Sequence, residues 1–87
     1  MEYQVVFRRS AEKALNGIPE RDRNRLLDKI EMLEADPYPS GSRKLRGYEG
    51  LWRIRSGNYR VVYTEPDNEG TIDVVKVGHR RVVYNLH

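Results

Sequence analysis

The run "LWRIRSGNYRVVY", Leu51 to Tyr63, constrains this chain more than any other stretch. Alternating residues flank Gly57-Asn58, the composition of a tight turn between two antiparallel strands. A two-residue turn there sets Ser56 opposite Tyr59, Arg55 opposite Arg60, Ile54 opposite Val61 and Trp52 opposite Tyr63. Moving the turn back to Ser56-Gly57 pairs Arg53 with Arg60 instead. In both registers Trp52, Ile54, Val61 and Tyr63 share one face, and Arg53, Arg55 and Arg60 share the other. A three-residue loop would carry Arg60 to the apolar face, against the cost of burying an unpaired guanidinium. The fold must therefore cover one face of this hairpin and leave a cationic one, although like charges opposite each other are destabilising.

The rest of the chain supplies the cover. "EYQVVFRR" sets Tyr3, Val5 and Phe7 against Gln4, Val6 and Arg8, the alternation of a first strand. Ser10 is the expected N-cap of a helix whose apolar stripe is Ala11, Ala14, Leu15 and Ile18, with Asn16-Gly17 as its stop. Pro19 opens a second helix in its first turn, and Leu26, Leu27, Ile30 and Leu33 recur at helical spacing up to Asp36-Pro37. "DPYPSGSRKLRGYEG" reads as a loop. Strands follow over Leu51 to Ser56, Tyr59 to Glu65 and Thr71 to Val77, with Gly78 ending the last and "GHRRVVYNLH" as a tail. The expected fold is α+β: an N-terminal strand, an αα-hairpin and a three-stranded antiparallel meander (β-α-α-β-β-β), with the helices packed on one sheet face.

At 87 residues the chain makes one domain, residues 1–87, with a single modest core and no internal repeat. Its 16 Lys and Arg against 13 Asp and Glu give net +3, a small excess gathered in local basic clusters of the C-terminal half, so a polyanion is the first partner to consider. The absence of cysteine excludes disulfides, thiolate zinc sites and cysteine nucleophiles, and two histidines make a poor metal site. No metal or cofactor is called for. "MEYQVVFRRSAEKAL" holds no apolar run long enough for a signal peptide or membrane span, so a cytoplasmic protein without membrane contact is expected.

On the hairpin, the bland alternative is a solvated face whose arginines pair with acids such as Glu65 or Asp73. Arginine rather than lysine at all three positions favours anion binding, because the guanidinium fork matches phosphate oxygens. A second basic group follows Gly78: His79, Arg80 and Arg81, with Tyr84 beyond. Its bland counterpart is a basic rim packed by Val82, Val83 and Leu86. A third, Arg43, Lys44 and Arg46 in "SRKLRG", could guide a nucleic-acid backbone or simply keep a loop soluble.

"KLRGYEGLWRIRSGNYRVVYTE" followed by "VVKVGHRRVVY" resembles the RelE/ParE superfamily of toxins from toxin–antitoxin pairs, over essentially the whole chain and closer to the RelE branch. That resemblance implies a ribosome-dependent, metal-independent mRNA endoribonuclease, in which the ribose 2′-oxygen attacks the adjacent phosphorus and expels the 5′-oxygen. It further implies that Arg53 and Arg55 stand where the best-known ribonuclease has two lysines, that Arg60 and Arg80 match its arginines, and that Tyr84 matches its C-terminal tyrosine. Arg53, Arg55 and Arg60 are then expected to hold the scissile phosphate, Arg80 to support the leaving side, and Tyr84 to stack on or orient a base. Arg55 departs from the pattern, because a guanidinium with pKa above ~12 is a poor proton acceptor where the matching lysine has a base-like role. By residue type His79 is the candidate for proton transfer; its bland reading is a surface histidine. Arg43, Lys44, Arg46 and Arg81 are candidate RNA contacts.

The expected partners are the ribosome with its mRNA and a cognate antitoxin bound in a hetero-oligomer. Two other classes stay open. A ParE-like inhibitor of DNA gyrase would share the fold, and a non-catalytic RNA or ribosome binder would use the arginines for phosphate contacts alone.

Overall fold

The computed structural model describes residues 2–80. In chain order these form β1 (Gln4–Phe7), α1 (Arg9–Asn16), α2 (Glu20–Met32), β2 (Arg43–Lys44), β3 (Leu51–Ser56), β4 (Tyr59–Thr64) and β5 (Thr71–His79). One five-stranded sheet runs in the order β1-β5-β4-β3-β2. The β3–β4–β5–meander is antiparallel, while β1 lies parallel to β5 at the edge, its Gln4 against Thr71 and its Phe7 against Val74. The α+β architecture and its order match the sequence reading, with one addition: the loop after α2 contributes the short strand β2.

The hairpin adopts the first of the two registers, with Ser56 against Tyr59, Arg55 against Arg60 and Trp52 against Tyr63. Gly57 has φ +60, and no non-glycine among the described residues has positive φ. That combination is a type II′ turn, whose twist suits the flanking strands and whose first central position favours glycine.

Both helices pack on one face. Ala11, Leu15, Ile18, Leu26, Ile30 and Leu33 meet Ile54, Val61, Tyr63, Ile72, Val74 and Val77, with Tyr3, Val5 and Phe7 completing the rim. Leu27 departs from its expected place and is exposed, because only part of the α2 stripe reaches the sheet. Tyr63 is fully buried, and its hydroxyl donates to the Pro37 carbonyl at 2.6 Å, which ties the loop after α2 to the core. Burial pushes this phenol up to about 12.

Three boundaries differ from expectation. Ser10 is not the N-cap of α1: Arg8, in extended geometry, takes that place without a side-chain bond, and its carbonyl accepts the Glu12 N–H at 3.0 Å. The parallel pairing of β1 fixes this, since the Arg8 N–H is held by the Val74 carbonyl and the chain turns into helix immediately afterwards. Pro19 is the N-cap of α2 rather than a residue of its first turn. Strand β5 continues to His79, through Gly78.

Candidate functional site

The outward face of the sheet is organised by cross-strand pairing. Directly opposed residues place their Cβ atoms about 4.5–5.5 Å apart. Nearest the hairpin turn, Arg55 opposes Arg60, and Arg60 opposes Gly78 on β5. Glycine contributes no side chain opposite Arg60 on that strand. The next row runs Arg43, Arg53, Val62, Lys76 across β2, β3, β4 and β5. A small apolar patch, Val62 and Val75 with Leu45 and Leu51, floors this otherwise cationic face.

The structure thus brings Arg53, Arg55 and Arg60 together on the face away from the helices, and adds Arg43 to them. Arg53 is half-buried, and its Nη1 is shielded from water with no acceptor among the described residues. A charged donor so placed costs more than the ~1–3 kcal/mol of a neutral one unless it meets an acceptor, and a phosphate oxygen is a fitting one. Glu65, one acid that could have neutralised the cluster, accepts from Trp52 Nε1 at 3.0 Å instead. The Trp52 ring lies 4.7 Å from that of Tyr38, whose phenol is raised by burial and by Glu65.

Other candidates are placed differently. Arg80 is exposed, and its N–H donates to the Asn58 carbonyl at 2.8 Å, which holds it beside the hairpin turn. His79 pairs with Tyr59, with ring centroids 6.0 Å apart, and Tyr59 packs on the helix-side core. His79 therefore sits across the sheet from the arginines, and the proton-transfer expectation placed on it finds no support in this geometry. Lys44 pairs with Trp52 and shares its face, leaving the arginine row. Arg46 is exposed in the β2–β3 loop. Arg81 and Tyr84 lie outside the described residues.

Lys76 is the member of this face that sequence reasoning missed. Strict alternation from Ile72 and Val74 would turn it toward the helices. A bulge intervenes: Tyr63 pairs with Val74 and Val62 with Lys76, which leaves Val75 as the extra residue and brings Lys76 outward. The adjacent valines of "DVVKV" were the available signal, since two successive buried residues break a one-sided pattern. Among the described residues, no group of three or more His, Cys, Asp or Glu side chains could hold a metal ion. No helix among them is long and apolar enough to cross a membrane.

The comparisons with known proteins bear on the fold and the family. Residues 5–84 match the family model described as the ParE toxin of type II toxin-antitoxin system, parDE. The chain belongs to the RelE/ParE toxin superfamily. A RelE-like toxin protein of Escherichia coli is 35% identical over 91 residues, covering 99% of this chain and 94% of that one. Among solved structures, an arginine-to-alanine mutant of E. coli toxin RelE in the free state superposes with TM-score 0.82 at 29% identity, covering 98% of this chain and 93% of that one. The archaeal RelE-RelB complex from Pyrococcus horikoshii gives TM-score 0.79 at 32% identity, with coverage of 92% and 97%. The fold, the family and the kinship to RelE toxins rest on these matches together.

Proposed function

We propose that this toxin is a ribosome-dependent mRNA endoribonuclease whose outward sheet face holds the scissile phosphate. The observation that carries the reading is the convergence of Arg53, Arg55 and Arg60 on one face, with a shielded Arg53 donor in need of an acceptor. During attack the bond from the 2′-oxygen to phosphorus forms while the bond from phosphorus to the 5′-oxygen breaks. A proton leaves the 2′-hydroxyl and another reaches the 5′-oxygen. Negative charge builds on the non-bridging oxygens between these events, and preorganised guanidinium groups stabilise that charge more than the ground state. Arg53, Arg55 and Arg60 supply this stabilisation, and Arg80 at the turn serves the leaving side. All four act through charge and hydrogen bonding, because a guanidinium offers donors alone and has no lone pair with which to take up a proton.

A second reading has its own support: the matching family model is described as a ParE toxin, and inhibition of DNA gyrase would use the same basic face. Kinship to RelE toxins at 35% and 29% identity favours RNA. A cognate antitoxin of the RelB kind is the proposed partner, as the P. horikoshii relative was crystallised as a RelE-RelB complex. The protein acts in the cytoplasm on this reading.

The test is a translation reaction with purified ribosomes followed by primer extension on the message. Cuts at fixed codon positions that vanish with Arg60→Ala support the nuclease. Intact message together with gyrase-linked DNA breaks would establish the second reading. Intact message with toxin bound to ribosomes would leave only a binding protein.

A further inference from the structure

The arginine rows do not exhaust the outward face. One row farther from the hairpin turn, Leu51 pairs with Thr64, and beside them Val75 and Lys76 emerge from the β5 bulge. Two residues of strand span about 7 Å, so this row lies about 7 Å beyond Arg53 and about 13 Å beyond Arg55. The same place receives Arg8, which alternates outward from Phe7 at the end of β1, and Tyr48 from the β2–β3 loop. These residues surround a cavity of 260 Å³.

Its lining is divided by chemistry. Leu51 and Val75, part of the small apolar patch with buried Val62, form the floor. Tyr48, 39% exposed, offers a ring on one side. Arg8 and Lys76 stand on the wall, one from the edge strand and one from the bulge, with the Thr64 hydroxyl between strands. An apolar floor beside an aromatic ring accepts the flat face of a base, and the cations accept the attached phosphate. The volume is below the ~300 Å³ at which pockets for drug-sized ligands begin, so it suits one nucleotide at most.

Resting on the reading of this face as an RNA site, we infer that the cavity bounded by Arg8, Tyr48 and Lys76 is a subsite for one nucleotide flanking the cleaved bond, its base on Tyr48 and its phosphate between Arg8 and Lys76. The bulge makes the subsite. Without the bulge, regular alternation through Val74 and Val75 would turn Lys76 toward the core, and the wall would lose one of its two cations.

The experiment measures binding of a length series of RNA oligonucleotides, one to five nucleotides, to the purified full chain by fluorescence anisotropy. Ribose carries 2′-fluorine throughout so that no cleavage occurs. Wild type is expected to gain about fivefold or more in affinity at the length that first reaches the pocket, the lower end of what one stacked base contributes. Tyr48→Ala should flatten that step and Tyr48→Phe should keep it, while Lys76→Ala and Arg8→Ala each reduce it. Arg60→Ala should lower the affinity of every length alike and retain the step. Circular dichroism confirms that each variant is folded, and Tyr48 is a surface position where truncation spares the core. A step of unchanged size in Tyr48→Ala overturns the subsite while leaving the arginine reading intact. No binding of any length by wild type overturns both.

Discussion

Val61 and Tyr63 on β4 are completely buried beneath the helices, whereas Arg60, their neighbour on the same strand, shares the opposite face with Arg53, Arg55, Arg43 and Lys76. The difference teaches how stability and chemistry divide within so small a chain. The helix side concentrates the apolar side chains of both helices and four strands, so it holds the fold. The outward side keeps a small apolar patch, Val62 and Val75 with Leu45 and Leu51, and gathers around it the cations Arg43, Arg53, Arg55, Arg60 and Lys76, which repel one another. A face built this way is tolerable because the opposite face carries the stability, and on the proposed function it is useful because an arriving phosphate would relieve the repulsion.

Substitutions on the two faces should therefore differ in what they damage. The largest expected effect is on the helix side, where Leu26→Ala should cost about 2–5 kcal/mol of stability in chemical denaturation, since Leu26 is fully buried against the sheet. Arg60→Ala should do the reverse: a drop of about 10²–10³-fold in ribosome-dependent cleavage, worth ~2.7–4 kcal/mol in activation, with the denaturation midpoint nearly unmoved. A comparable loss of stability in Arg60→Ala would break the division.

Tyr63→Phe should cost about 1–3 kcal/mol, because the Pro37 carbonyl loses a buried donor. The same phenol gives the comparison a pH signature. Its folded-state pKa is raised to about 12 from 10.0, so its contribution is complete below pH 10 and is lost as pH rises through about 12. Alkaline unfolding curves of wild type and Tyr63→Phe should converge across that window. The smallest effect is expected from Arg55→Lys, which keeps the charge of an exposed cation and gives up its fork; cleavage should change by less than about tenfold.

Much of this division could be read from the residues. The turn glycine and the alternation around it specified the face of each arginine in both of the registers they allow, because a three-residue loop would have buried a cation. The placement of Lys76 was hidden, since a bulge depends on how two strands meet and leaves only adjacent valines as a trace. His79 looked suitable by type, but its pairing with Tyr59 depends on how far β5 runs past Gly78, and glycine had suggested an earlier end. β2 was invisible for a related reason: two residues in a loop rich in proline and glycine carry no period of their own. The parallel docking of β1 beside β5 is a long-range choice, and the Arg8 cap that follows from it displaced the local preference for Ser10.

The central claim is that RNA meets the outward sheet face rather than the protein's positive charge at large. Nuclear magnetic resonance of the arginine Nε–Hε groups during titration with a 2′-fluoro RNA tests it most directly, because α2 carries exposed Arg21 and Arg25 on the other side of the molecule as internal controls. Arg53, Arg55 and Arg60 should shift together at one saturable affinity while Arg21 and Arg25 stay in place. Shifts of equal size on α2, or a hairpin that does not respond while RNA binds, would contradict the account.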